Sequence, residues 1–312
     1  MSISRGVPKR RSSSMTSRAR LARWALSGPP LAFLAVFFLI PTLIMGLASF
    51  GWPGQEGGLS PLWYHDAAGW HFDLTLGNYR DIFTLKLFLA LYLRSLGYAL
   101  ATTVCCLVGA YPLALVIARA RARYRNLLLL LVIVPFWSNF PIRIYAWMII
   151  LGPQAALSRG VNAVLGLFGF GPTSLLFSPF AVLMGLVYVS LPFMILPLYA
   201  NLEKHDPALL EAARDLGASA WACFWRVTFP LAVPGVIAGA TLVFIPALGA
   251  FAVPDILGGT RGIMIGNVIE MEFLQARDWP FGAALSIMLT FLALGATGLA
   301  AWAARRGVKA YG

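Results

Sequence analysis

The sequence predicts an all-α integral membrane protein with six transmembrane helices. First, the 312-residue chain is 59% hydrophobic and 12% charged, with a mean hydropathy of +0.77. A soluble domain carries about twice that charged share, roughly 25%. Second, six apolar runs are each long enough to cross a bilayer, which takes about 20 residues of helix. Third, the basic residues are concentrated in segments that fall on one side of such a topology.

Residues 1–30 form a basic, serine-rich tail, expected to be disordered and to set orientation, and 31–51 is the first span. That run exceeds a signal-peptide core in length, so it is expected to remain uncleaved. Gly51 to Arg94 is polar and rich in Gly and Trp. Within it, Ile82, Leu85, Phe88, Leu89 and Tyr92 make an amphipathic face, expected as an interfacial helix, and Trp52, Trp63, Trp70 and Tyr79 suit an aromatic belt. The second span is about 95–118, followed by a basic turn with Arg119, Arg121, Arg123 and Arg125.

The third span, about 127–151, contains Pro135 and Pro141, which predict a bend or break. Arg143 stands sixteen residues past Leu127, about 24 Å along a helix, which puts it toward one end of the span. Two readings stay open for it: a side chain that snorkels to the interface, or a gating or pairing role. A loop with a short amphipathic piece at 161–168 leads to the fourth span, about 179–200, which Pro192 and Pro197 are expected to break. The fifth span, about 231–253, is rich in small residues and prolines, a pattern of close helix packing. Residues 254–281 carry Asp255, Glu270, Glu272 and Asp278; the sixth span is about 282–304, and 305–312 is a basic tail.

Seventeen of the 24 Lys and Arg residues lie on the N-tail, the 119–125 turn, the 201–230 loop and the C-tail. That face sums to +13 and the other to −1. The excess is a positive-inside pattern, with both termini in the cytosol, and it accounts for the net charge of +12 without nucleic acid. Cys105, Cys106 and Cys223 have no metal-ligand spacing, and His65, His71 and His205 are scattered. No metal site, no phosphate-cradling Gly-Lys-Ser/Thr loop and no catalytic nucleophile–base set is recognisable, so the chain is not expected to be an enzyme.

The 201–230 loop interrupts the apolar pattern with mixed charge and strong punctuation. Asp206 as N-cap, Pro207 at the first helical position and Gly217 as the stop predict a helix over 207–216. Leu209, Ala213 and Leu216 share one face, with Leu210 beside it. A second helix bearing Trp221, Phe224 and Trp225 is expected to end before Pro230. Glu211-Ala212-Ala213, then Gly217 after three residues, then Val227-Thr228-Phe229-Pro230 after nine more resembles the EAA loop of ABC importer permeases. Val227 and Phe229 stand where that family has Ile and Leu. The resemblance implies a type I importer architecture, and a coupling role toward an ATPase for Glu211, Ala212, Ala213, Gly217 and Pro230.

A longer resemblance covers about 135–290, in PFWSNFPIRIYAWM, in GLVYVSLPFMILPLYANLEKHDPALLEAARDLGASAW, in PLAVPGVIAGATLVFIPALGAFAVPDILGG and in DWPFGAALS. These segments resemble the B-type inner-membrane subunits of spermidine/putrescine importers. Related branches, for opines, aminoethylphosphonate or ferric iron, share some of the same features. The resemblance implies two ATPase subunits that use ATP and Mg, a second and different permease, an external binding protein, and no cofactor on this chain. It also implies an inner-membrane setting in contact with lipid.

A polyamine is a flexible polycation, and its passage needs carboxylates, carbonyls or aromatic faces in place of water. Asp255, Glu270 and Glu272, with Tyr145, Trp147 and Trp279, are the candidates for that path. Asp255 follows Pro254, and capping backbone N–H groups is its alternative role. A secondary transporter would couple to ions through buried acids or a repeat of broken helices, and the absence of acids from the six spans argues against it. A scaffold or receptor module would need neither the paired prolines nor the EAA spacing.

Overall fold

A computed structural model describes residues 17–66, 69–169 and 171–309. Six helical segments among them are long and apolar enough to cross a membrane. Helix α1 (Ser17–Leu34) runs through a widened π turn at Ala35–Leu39 into α2 (Ile40–Ala48). The helix thus begins well inside the stretch expected to be disordered; Ser17 to Leu26 is rich in Ala, Leu and Arg, all strong helix formers. Residues 1–16 of the expected tail lie outside the described residues. The first span lies almost wholly outside the core of the single chain and touches it mainly through α2 against the last helix.

The following polar segment contains the one strand pair among the described residues, a hairpin of β1 (Trp63–Asp66) and β2 (Gly69–Phe72). Its stem is tied down locally. Asn78 donates its amide to the Ser49 and Gly51 carbonyls, and the Trp52 indole donates to Asp73 at 2.9 Å. The expected interfacial helix is split by extended backbone at Leu85 into α3 (Gly77–Thr84) and the start of α4 (Lys86–Arg119). Ile82 and Tyr92 are buried and Phe88 half-buried in one apolar cluster, while Leu89 is exposed.

The apolar run at 127–151 is divided into α5 (Ala122–Ile133) and α6 (Phe140–Leu151) by a 3₁₀ turn at Val134–Trp137 and extended residues 138–139. Pro135 and Pro141 withhold the N–H groups that a continuous helix would need there. The third segment of spanning length is Phe140–Leu167, α6 with α7 (Ala156–Leu167), rather than 127–151. Even so, α5 and α6 together run from one end of the bundle to the other. Leu128, Leu129 and Val132 of α5 join one apolar cluster, and Ile144 and Leu151 of α6 join another at the opposite end.

Helix α8 (Pro179–Leu202) is unbroken through Pro192 and Pro197, against the expectation of a break. Burial of Met194, Ile195 and Leu198 between α4 and the helix that follows holds it straight enough to stay α-helical. Next come α9 (Ala208–Asp215), α10 (Ala220–Cys223) and α11 (Phe229–Leu248). The chain continues with α12 (Ala252–Gly258), α13 (Ile265–Met271) and α14 (Trp279–Lys309), so the helix extends well into the expected C-tail.

The centre is the α4–α8–α11 triad, whose three helices make the most extensive contacts in the molecule. Small residues allow the approach. A Cβ on Gly239 would meet Met194 at 2.7–3.3 Å, and one on Gly235 would meet Asn201 at 2.7 Å. These two glycines, four apart, form the seam of α11 against α8. At one end, buried side chains of α4 hold the chain beyond α11: the Ser95 hydroxyl accepts from the Ile265 N–H of the irregular 250–281 segment at 2.8 Å, and the Tyr92 hydroxyl donates to the Leu285 carbonyl of α14 at 2.7 Å. Asn267 donates to the Phe251 carbonyl and accepts from the Met264 N–H.

Candidate functional site

The 201–230 segment stands at one end of the triad as a short helix on a hinge. Asp206 accepts from the Ala208 N–H at 2.9 Å and so closes the front of α9. At the back, Gly217 takes φ +80°, a conformation that a side chain penalises. The Gly217 N–H donates to Arg214 at 2.8 Å and the Ala218 N–H donates to Ala213 at 3.0 Å, the two bonds of a Schellman stop. Ser219 then caps α10 by accepting from the Ala222 N–H.

The helix expected to end before Pro230 does not end there. Residues Ala220–Leu248 form one continuous helical segment. A π turn at Phe224–Thr228, closed by the Phe229 N–H on the Phe224 carbonyl, widens the backbone just ahead of Pro230. The wider turn gives the proline ring room, so the chain passes it without stopping. Pro230 is half-buried. The aromatic group around this turn is anchored on α4: Tyr111 lies 5.4 Å from Phe224 and 6.1 Å from Phe229, and Trp225 lies 5.1 Å from Phe229. Sequence spacing gave Trp221, Phe224 and Trp225 as helix residues but not Tyr111, 113 residues from Phe224, as their support.

The outward surface of α9 is mixed. Glu211, Ala212 and Gly217 are exposed and Ala213 is half-buried; Leu216 is 89% exposed and Trp221 71%. Behind α9, Leu209 and Leu210 face a cavity of about 500 Å³ that reaches the ends of α4, α8 and α11. Arg119, Arg125, Glu203, Glu211 and Arg214 also line it. At its rim Arg125 forms an ion pair with Glu203, and Tyr199 hydrogen-bonds with both. The Tyr199 hydrogen bond, then the Arg125 charge, hold the Glu203 carboxyl below the usual carboxylate range.

The six path candidates lie toward the other end and are not gathered into one cluster. Glu270 alone of the six lines a cavity of about 420 Å³, with Phe251, Ser286 and Thr290 among its other walls. Glu272 is half-buried, and its carboxyl is raised by burial first and by Asp278 second. Asp255 is exposed on α12, and Tyr145 is exposed on α6. Trp147 stands edge-on to Tyr188 at 5.6 Å, within the packing of α6 on α8. Trp279 is half-exposed at the start of α14, about where the Gly58 turn approaches it.

Arg143 differs from a snorkelling side chain. Its guanidinium carbon sits 5.1 Å from the Phe136 ring centre and 5.9 Å from that of Phe140, back toward the break that precedes α6. Helical side chains lean toward the N-terminus, which accounts for the direction. Among the described residues, no three of His, Cys, Asp and Glu are placed to hold a metal, and all three cysteines are free thiols.

A family model for the binding-protein-dependent transport system inner membrane component matches residues 110–308. The chain is 44% identical over 274 residues to the spermidine/putrescine transport system permease protein PotB of Escherichia coli K12, covering 88% of this chain and 94% of that one. It is 43% identical over 261 residues to the PotB of Haemophilus influenzae, covering 84% and 86%. A solved bacterial alginate ABC transporter, in complex with its pentasaccharide-bound periplasmic protein, has the same fold at TM-score 0.66 and 19% identity, over 94% of this chain and 96% of that one. The family match takes in the end of α4, all of α8 and α11, the 201–230 segment and nearly all of the last helix, and on it the chain belongs to the family of binding-protein-dependent transport system inner membrane components, multi-pass transport subunits of the inner membrane.

Proposed function

We propose that this chain is the B-type permease of an ATP-driven importer for spermidine and putrescine. The carrying observation is its 44% identity, across nearly its whole length, to a permease of that named specificity. In this reading α9 lies on the cytosolic side, as do both termini, in keeping with the +13 charge of that face. Two ATPase subunits, a second and different permease, and an external binding protein complete the importer, and ATP and Mg act on the ATPases.

α9 presents Glu211, Ala212 and the apolar Leu216 to an ATPase groove, and Ala213 lets the helix sit close. Gly217 makes the elbow between α9 and the 29-residue helix Ala220–Leu248. Because that helix does not break at Pro230, a displacement of α9 reaches the α8–α11 seam as a rigid-body motion. ATP binding closes the two ATPases, the linked helices rotate, and the far end opens to the loaded binding protein; hydrolysis reverses the motion.

Uptake of radiolabelled spermidine and putrescine into vesicles, with this chain co-expressed with its neighbouring subunits, tests the reading. Accumulation that requires ATP is expected. An assembly that hydrolyses ATP yet accumulates neither polyamine would keep the permease role and move the cargo to another small solute.

A further inference from the structure

The break between α5 and α6 places a cation against aromatic faces at mid-depth. Phe136 stands edge-on to Phe193 of α8 at 5.3 Å, and Phe193 is the fifteenth of the 24 residues of α8. At 1.5 Å per residue it lies about 21 Å from one end of that helix and about 14 Å from the other. The neighbouring Met194 and Ile195 belong to the apolar cluster near α9, while Phe140 and Ile144 belong to the cluster at the opposite end, so the rings sit between the two. Over the Phe136 and Phe140 rings lies the Arg143 guanidinium, within the roughly 6 Å at which a ring face attracts a cation. Among the described residues no carboxylate reaches Arg143, and its Nε is buried with no hydrogen-bond partner.

The group is not enclosed by the chain itself. Phe193 is 42% exposed, and Phe136 and Arg143 are half-buried. A charge at that depth without a counter-ion is too costly to leave against lipid, and such residues face protein or a water-filled cavity. The surface carrying Arg143, Phe136 and Phe193 must therefore face water or protein in the assembly. Its chemistry is that of a site for an organic cation: two ring faces and an occupying positive charge. A guanidinium and a primary ammonium on an alkyl chain compete for the same faces.

We propose that Phe136 and Phe140 form a cation subsite on the translocation route, which Arg143 occupies when cargo is absent and from which a cargo ammonium displaces it. The cargo part of this inference rests on the polyamine reading; the placement of the surface against water does not. Emptiness of the route then leaves no unsatisfied ring site, and an arriving polycation meets a repelling charge until it exchanges with it.

The test is thiol labelling of the assembled importer in nanodiscs, with both faces open and the three native cysteines replaced by alanine. Arg143→Cys is expected to react with a membrane-impermeant thiol reagent. Spermidine at about ten times its half-protecting concentration should slow labelling about tenfold, as simple occupancy requires. Phe136→Leu in the same background should leave the labelling and remove most of the protection. Phe193→Cys, which keeps Arg143, gives the same readout of water access if the arginine variant fails to assemble. A position 143 or 193 thiol inert to the reagent would put this surface against protein rather than water and overturn the subsite. Labelling that spermidine leaves unchanged, in an assembly that does accumulate spermidine, would overturn the subsite. Absence of polyamine uptake in the parent assembly would instead count against the polyamine reading, and labelling would still decide the placement.

Discussion

Gly217 is a residue whose role is set by backbone geometry alone. Its φ of +80° lies in the left-handed region, and a Cβ there would meet nothing within 4 Å. Substitution therefore carries strain without a clash, about 1–2 kcal/mol for a residue other than Asn or Asp. Gly217→Val should cut ATP-dependent uptake severalfold while Gly217→Asn retains most of it; equal uptake in the two would mean the elbow conformation is immaterial. At the rim of the nearby cavity, Glu203 offers a pH test. Its folded-state carboxyl lies below the ordinary carboxylate value, so the bridge to Arg125 is present above that value and lost as pH falls through the lowered one. Uptake should then show no Glu203-dependent change from pH 8 to 5. Comparison of pH profiles for the parent and Glu203→Gln checks this, and profiles that diverge within that range would contradict it.

Among the elements, prolines show how far local signals reach. Pro135 and Pro141 divide the third apolar run, as their missing N–H groups dictate. Pro192, Pro197 and Pro230 carry the same local signal, yet the helices pass through them. The difference lies in the surroundings: α8 is packed between α4 and α11, and a π turn makes room ahead of Pro230. Neither tertiary packing nor the π turn is written in the neighbouring residues. Helix α9 was readable because an aspartate cap and a glycine stop act within one turn, whereas the Arg143–Phe136–Phe193 group joins residues up to 57 positions apart and depends on a side-chain direction. The α8–α11 seam is an element-scale target. Gly239→Val would push against the Met194 backbone, and overpacking of this kind costs about 1–3 kcal/mol. Thermal unfolding of the purified chain should show a lower midpoint, and an unchanged midpoint would mean that the seam is loose.

The whole molecule links two ends that its sequence keeps separate. α9 and its basic surroundings stand at one end, the acid-bearing 250–281 segment at the other, and the α4–α8–α11 triad joins them. The fold class and the six apolar segments follow from composition, because a bilayer demands length and hydropathy that a soluble chain lacks. Residue type singles out Asp255, Glu270, Glu272, Tyr145, Trp147 and Trp279 as path candidates but cannot say which of them share a wall; Glu270 lines the cavity of about 420 Å³, and the other five do not line it. The central claim is that α9 carries the work of ATP hydrolysis into the triad. Uptake and ATP hydrolysis measured together in vesicles holding the assembled importer, with Glu211→Ala beside the parent, address it most directly. The account predicts normal insertion of the variant and a loss of most polyamine uptake per ATP hydrolysed. Uptake per ATP equal to that of the parent would contradict it.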